Sequence, residues 1–255
     1  MGKINFITLT NSGYEFFCDS QIDNFRKDFL KNHNLLIYCA DTPSFERLKN
    51  KNLPENIQVR KIADSEIGGL HGYLVGRFKE LMRLKFPLIC DYIKETNGPV
   101  WFIDNDVLFF SDPSSFIQED KDILFQPDAG DYEDRYSWVC TGCFWINNTE
   151  KALSLLDNLI KMQTTVDRGE QEILNDYCRS WTSRSHMEEF YKGSIEDFKE
   201  ADLDILPYHL FQNGYAAFKH NLYDKHECVM IHFNHEEIYE TKKNNFNKVK
   251  EFYKI

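Results

Sequence analysis

Asp104 and Asp106 stand one residue apart, directly after the apolar run Val100-Trp101-Phe102-Ile103 and before Val107-Leu108-Phe109-Phe110. An uninterrupted apolar run of strand length reads as a buried strand, so both carboxylates are delivered to its end among residues that exclude water. Carboxylates this close repel each other in a dry pocket unless a cation or a proton sits between them. Oxygen ligands favour a hard divalent ion such as Mn2+ or Mg2+. The competing interpretation is a polar loop with both acids in water, and for an isolated D-x-D that is the commoner case. Ten acids lie between Asp104 and Asp134 against one base, Lys121, so most of this stretch reads as solvated surface with a few members turned inward.

The elements that must carry these aspartates follow from the apolar pattern. Short apolar runs at 3–10 and 35–40 read as strands, and 57–62 alternates as a third. Residues 20–31 fit a helix through Ile22, Phe25 and Phe29. A second helical stripe runs through Leu70, Leu74, Phe78, Leu81 and Leu88 to about Lys94, kinked or split by Pro87. Strand and helix alternate up to Val100, which predicts an α/β fold with a parallel, doubly wound sheet. Ligands of such sheets bind beyond the carboxyl ends of the strands, where Asp104 and Asp106 lie. Farther on, 123–126 and 143–147 read as strands, 150–162 and 169–180 as helices, and 228–233 as a last apolar strand ending near His232.

With 255 residues, 42% of them hydrophobic, the chain has room for a full core. It shows no repeat, low-complexity tract or Pro/Gly-rich linker, so one domain over 1–255 is expected. Acids outnumber bases 41 to 30 for a net charge of −11, which argues against nucleic acid as the main partner. No apolar window is long enough for a membrane span, and the first residues lack a secretory apolar core. A cytoplasmic protein with reduced, buried thiols is the expectation for the seven cysteines. Cys140 and Cys143 form a C-x-x-C, but with no second pair nearby a zinc site is not expected.

Further along, ordered motifs join the D-x-D. These are Phe102-Ile103-Asp104-Asn105-Asp106-Val107 followed by Asp112-Pro113, then Thr141-Gly142-Cys143-Phe144-Trp145-Ile146-Asn147, then Glu170-Gln171-Glu172-Ile173-Leu174-Asn175, then Leu206-Pro207 to Phe211 and Gly214, and finally Ile231-His232-Phe233-Asn234 with Lys242 ten residues after the histidine. Over about residues 70 to 250 this resembles the GT-A nucleotide-diphospho-sugar transferases. An aspartate is commoner in that family where Glu170 stands. The resemblance implies a single GT-A domain, a mixed, mostly parallel sheet with a Rossmann-like N-terminal half flanked by helices. It divides the chain into a nucleotide-binding half, 1–110, and an acceptor-binding half, 111–255.

The resemblance also implies roles. Asp104, Asp106 and His232 would hold Mn2+ or Mg2+ on the donor diphosphate, and Lys242, or its neighbour Lys243, would reach the β-phosphate. Asn105, Gly142 and Asn234 would lie beside the donor. Thr8, Thr10, Asn11 and Tyr14, at the end of the first strand, would hold the nucleobase and ribose, and Lys85 would be the basic residue near the nucleotide. Glu170 and Gln171 would touch the transferred sugar or the acceptor, Glu170 steadying the sugar in a retaining reaction. Arg77 and Arg83 are surface cations as readily as ligands, and Asp131 and Asp134 are weaker candidates for sugar hydroxyls. Among the aromatics Trp138, Trp145, Trp181, Phe211 and Tyr215, one or two would line an acceptor groove, and Trp138 is the one expected to be exposed. The partners implied are a nucleotide-sugar donor, with UDP preferred to GDP, and a carbohydrate or glycoconjugate acceptor. A cytosolic enzyme of bacterial, viral or protist origin fits. Two other readings are a haloacid-dehalogenase-like phosphatase with Asp104 as nucleophile and a catalytically inactive sugar-nucleotide-binding relative. The former wants Thr or Val where Leu108 stands and normally opens its domain with the D-x-D.

Overall fold

Alternation along the first strand sends Phe6 to one face of a sheet and Ile7 to the other, and the two faces gather two separate cores. A computed structural model describes residues 2–71, 76–128, 138–179, 201–224, 228–235 and 238–255. The strands are β1 Asn5–Thr10, β2 Asn34–Cys39, β3 Ile57–Lys61, β4 Val100–Ile103, β5 Val107–Phe109, β6 Ile123–Pro127, β7 Val139–Ile146, β8 Leu203–Ile205, β9 Phe211–Asn213 and β10 Met230–His232. The helices are α1 Glu15–Asn24, α2 Thr42–Lys49, α3 Phe78–Met82, α4 Lys85–Thr96, α5 Glu150–Thr165, α6 Glu170–Arg179 and α7 Tyr239–Tyr253.

A seven-stranded sheet runs in the order β3-β2-β1-β4-β7-β6-β8. The pairs β3/β2, β2/β1, β1/β4 and β6/β8 are parallel, and β7 runs antiparallel to both of its neighbours. This is the mixed, mostly parallel α/β architecture expected. On one face Ile7, Phe102 and Phe144 pack with Phe86 and Ile89 of α4 and with Leu155 and Leu159 of α5. On the other, Trp101 lies stacked between Phe6 and Phe211, at centroid distances of 5.9 and 6.1 Å. Burying one such side chain contributes about 1.5–3 kcal/mol. Trp145 and Phe211 belong to this core. A smaller sheet, β5-β10-β9, sits at the carboxyl end of β4, and α7 docks there through Phe246 and Val249 against Phe17 and Phe233.

Two helices differ from the sequence pattern. The helix expected at 20–31 is α1, which starts at Glu15 and ends at Asn24. Its last residue turns inward: Asn24 Nδ2 donates to Phe109 O (2.9 Å) and Asn24 Oδ1 accepts from Phe109 N (2.9 Å), so the amide pairs with β5 as a strand would. Residues 25–33 then follow as turns. The stripe expected at 70–94 combines two helices and a loop. The chain breaks at Arg83 and Leu84, and Pro87 stands third in α4, where a missing N–H costs no intrahelical bond. Leu70 lies before α3 and is 52% exposed, and Leu74 falls outside the described residues. No helix of the described residues is long and apolar enough to cross a membrane.

Candidate active site

The carboxyl end of β4 is walled on both sides. Antiparallel β7 places Cys143 opposite Ile103, and Asp104 N donates to Gly142 O at 2.7 Å. The turn Asp104-Asn105-Asp106 leads into β5, and β10 pairs with β5 so that His232 lies across from Val107. Three ligand atoms, one each from Asp104, Asp106 and His232, therefore lie within 4.8 Å of one another. His232 Nε2 is 3.2 Å from Asp106 Oδ1 and 3.8 Å from Asp104 Oδ2. Two carboxylate oxygens with one imidazole nitrogen form a donor set that could hold a divalent cation.

The space for this cluster is made by a glycine. A Cβ at Gly142 would stand 2.1 Å from His232 Cε1 and 2.6 Å from Asp104 Oδ2. Gly142→Ala is therefore expected to displace the ring or the carboxylate. Misplacement on this scale costs on the order of 100-fold in turnover, and a Mn2+ titration should show weakened binding in the same variant. Wild-type turnover and metal affinity in Gly142→Ala would show that the ring and carboxylate do not act from the positions seen.

Charge is balanced locally. Lys242 Nζ lies 2.8 Å from Asp106 Oδ2, and Lys243 lies instead over the Phe16 ring. Lys85, 2% exposed, puts its ammonium 3.0 Å from Asp104 Oδ1 and 3.2 Å from Glu170 Oε1. Burial acts to raise the Asp106 pKa, but Lys242 and His232 outweigh it and hold the carboxyl well below the usual range. At Asp104 burial prevails over Lys85 and His232, and the pKa is raised. Burial works against the Lys85 charge, yet Asp104 and Glu170 hold that ammonium above its normal pKa.

These groups face a cleft of about 420 Å³. Thr10, Asn11 and Tyr14 line one end, where Asn11 Oδ1 accepts from Gly13 N (2.9 Å). That bond fixes the amide and leaves the buried Asn11 Nδ2 with no partner among the described residues. Tyr14 donates to His71 O at 2.8 Å, and burial together with Asp106 and Asp104 raises its pKa, so it stays a neutral phenol. Thr8 is buried below the cleft, its hydroxyl donating to Asn105 Oδ1 (3.2 Å), while Asn105 Nδ2 donates to Leu9 O (2.8 Å). Asn105 thus ties the Asp104–Asp106 turn to β1.

At the other end, Thr141 Oγ1 donates to Glu170 Oε1 (3.0 Å) and Thr141 N donates to Gln171 Oε1 (3.1 Å). Gln171 Nε2 donates to Asp128 Oδ2 at 2.7 Å. Asp128 Oδ1 also accepts from Asn234 Nδ2 (2.7 Å) and contacts His235 Nε2 (2.9 Å). Burial alone would raise the Asp128 pKa; His235 reverses this and lowers it. Asn234 Oδ1 accepts from Gly214 N (3.1 Å), and a Cβ at Gly214 would stand 2.1 Å from Asn234 O.

Several sequence candidates lie elsewhere. Arg77 pairs with Glu80, Arg83 with Asp167, and Asp112 caps the turn Pro113–Phe116 and contacts His33. Cys140 and Cys143 point to opposite faces: Cys140 Sγ is 3.3 Å from His232 Nδ1, whereas Cys143 Sγ accepts from Trp101 Nε1 in the core. Trp138 is half-buried, not exposed, and Tyr215 lines a separate hollow of about 190 Å³. Asp131, Asp134 and Trp181 lie outside the described residues. Sequence reasoning missed Asp128, Thr141 and Gln126 as site residues. Gln126 carried a signal, being the one polar residue before the proline in the otherwise apolar β6, and Asp128 follows a strand end much as Asp104 does.

A family model described as nucleotide-diphospho-sugar transferase matches residues 31–246. No curated protein gives a significant sequence match. Among solved structures, the glycosyltransferase GlyE of Streptococcus pneumoniae TIGR4 aligns with a TM-score of 0.56 at 15% identity, over 99% of this chain and 61% of that one. A glycosyltransferase involved in glycosylation of the major capsid of PBCV-1 aligns at 0.53 and 10% identity, over 96% and 99%. The WbbM bifunctional glycosyltransferase aligns at 0.55 and 14% identity, over 99% and 51%. The chain thus spans about three fifths of GlyE and half of WbbM, and at these identities the likeness is one of fold. The match to the family model covers most of the chain: it belongs to the nucleotide-diphospho-sugar transferase family.

Proposed function

We propose that this chain is a divalent-metal-dependent glycosyltransferase that moves a sugar from a UDP-sugar to a glycan or other hydroxyl acceptor with retention. The observation that carries the reading is the group Asp104, Asp106 and His232 at the carboxyl end of β4, with Gly142 leaving room for it and Lys242 beside it. These three residues would hold Mn2+ or Mg2+, which when bound neutralises charge on the diphosphate leaving group. Lys242 would exchange its contact with Asp106 for a leaving-group oxygen. Asn11 Nδ2, a buried donor with no partner among the described residues, suits a uracil carbonyl, and Tyr14 walls the same end. Glu170, kept beside the Lys85 ammonium, would steady positive charge developing on the sugar, and Thr141 orients it. Residues 1–110 would chiefly hold the nucleotide and 111–255, with Asp128 and His235, the acceptor.

Both alternatives fit the site less well. Asp104 is engaged by Lys85 and has a raised pKa, unlike a free phosphatase nucleophile. An inactive relative would have no need of the complete Asp104, Asp106, His232 and Lys242 set. A panel of nucleotide sugars assayed with Mn2+ tests the proposal. UDP release that stops with EDTA is expected. A ligand at 100 times its Kd adds about 2.7 kcal/mol to native-state stability, so the matching donor should raise the melting temperature only while metal is present. Preference for GDP-sugars would overturn the uridine assignment, phosphate release from a simple monoester would favour the phosphatase, and binding without turnover the inactive relative.

A further inference from the structure

His232 can serve a cation only through an unprotonated Nε2, and a neutral imidazole carries its single proton on one nitrogen or the other. The group that decides between them lies on β6. Phe125 pairs with Phe144, as an unbroken antiparallel ladder requires, but the next residue, Gln126, pairs with Cys140 where regular register would put Cys143. Residues 141–143 are extra on β7 at this step. Such bulges re-aim side chains next to active sites. This one leaves Gln126, wholly buried, facing β10.

The Gln126 amide has only one good orientation. Its Nε2 donates to Gln212 O on β9 at 2.9 Å, and a flipped amide would set two carbonyl oxygens against each other in a buried site. Gln126 Oε1 therefore faces His232 Nδ1, at 3.1 Å, and an amide oxygen can only accept. Gln126 therefore favours the ring proton on Nδ1. Cys140 Sγ, 3.3 Å from the same nitrogen, already accepts from Gly142 N; as a thiol it can accept from or donate to Nδ1, so the choice rests on Gln126. On the other side Asp106 Oδ1, 3.2 Å from Nε2, and Asp104 Oδ2, 3.8 Å away, compete for the proton, and Gln126 is the group that opposes them and frees Nε2 for a cation.

We propose that Gln126 is a positioning residue that fixes the Nδ1–H tautomer of His232 and so presents Nε2 as a ligand to the cation shared with Asp104 and Asp106. Partners of this kind set ring orientation and raise ligand basicity, and their loss typically costs about 10–100-fold in metal affinity. The inference rests on the metal-dependent reading of the site, and the test separates the two.

Mn2+ binding is titrated by electron paramagnetic resonance in the full chain, with 15N spectra of the His232 ring recorded on metal-free protein at a pH where the ring is neutral. Gln126→Met, of similar length without an acceptor, should weaken Mn2+ binding about 10–100-fold and redistribute the ring proton away from Nδ1. Gln126→Glu keeps an acceptor for Nδ1–H, though it turns an oxygen toward Gln212 O, and should retain the tautomer and lose less binding than Gln126→Met. Wild-type affinity and ring protonation in Gln126→Met would overturn the proposal. So would equal losses in the Met and Glu variants, since that pattern reports packing rather than proton placement. Asp106→Ala is the control for the metal site. If Asp106→Ala binds Mn2+ as the wild type does, or neither binds it, the metal reading fails, and the ring spectra alone then decide whether Gln126 sets the tautomer. If either Gln126 variant fails to fold, the other still decides.

Discussion

Asp106→Asn is expected to lower sugar transfer about 1000-fold while the protein keeps its fold. The asparagine has the same shape, so packing is retained, but it removes the negative charge that Lys242 approaches to 2.8 Å and His232 to 3.2 Å. Losing a metal's charge stabilisation of a leaving group removes several kcal/mol, and about 4 kcal/mol corresponds to 1000-fold. The depressed Asp106 pKa has a stability counterpart. Its folded pKa lies below the unfolded value, so its contribution is present above pH ~4 and is lost as pH falls through the folded pKa. Lys242 is still 17% exposed and can turn to water in the variant, so the stability loss near neutrality should stay near 1 kcal/mol. Transfer rates with saturating Mn2+, a Mn2+ titration and urea melts supply the comparison. Transfer within tenfold of wild type would remove Asp106 from the metal site.

The same proposed reading would account for how a chain of net charge −11 could hold an anionic donor. In the metal-free cleft Lys242 is already paired with Asp106, and Lys85 with Asp104 and Glu170. The cleft therefore offers a diphosphate little uncompensated positive charge. On the proposed reading a divalent ion on the two aspartates would reverse that balance and free Lys242 for a phosphate oxygen, so Asp104 and Asp106 would serve anion binding through the cation they hold.

Much of this was legible in the sequence because the signals sit at the ends of apolar strands. Asp104 and Asp106 close β4, Asn11 follows β1 and His232 closes β10. What brings them together is strand pairing, which local spacing does not encode. Asp128 counted only as one more acid until β6, α6 and the turn after β10 converged on it. Gln126 acquires its role from a register break across β7, and Thr141 from α6 packing beneath that same strand. The choice between Lys242 and Lys243 depended on the rotation of α7, since neighbours on a helix point about 100° apart. The position of α1 was misread because Asn24, polar and unremarked in the pattern, is buried against β5 and ends the helix.

Lys85→Met should produce the largest stability loss of any single change in the site. Lys85 is the first residue of α4, where a cation opposes the helix dipole, so its presence there is not explained by the helix. Its ammonium is instead the buried countercharge for Asp104 and Glu170 and lies 5.3 Å from the centre of the Phe102 ring. Methionine fills the same apolar path but leaves two carboxylates with no cation, and breaking a buried pair in this way costs about 3–5 kcal/mol. The loss should depend on pH with a definite sign. Burial already raises the Asp104 pKa against the pull of Lys85, and without that pull it rises further. A folded pKa above the unfolded one, ~3.9, makes the ionised carboxylate the destabilising form. The gap between wild type and variant is therefore full at pH 7–8 and narrows toward pH 4, as Asp104 protonates. At the alkaline end the wild type's own advantage declines above pH ~10.4, the ordinary lysine value, because the raised Lys85 pKa contributes stability only while the ammonium is charged. Urea melts in EDTA at pH 5 and pH 8 measure the difference, and Mn2+ should restore part of it at pH 8 by supplying the missing positive charge. A loss below 1 kcal/mol, or one equal at both pH values, would mean that Lys85 is not what holds these carboxylates in the cleft.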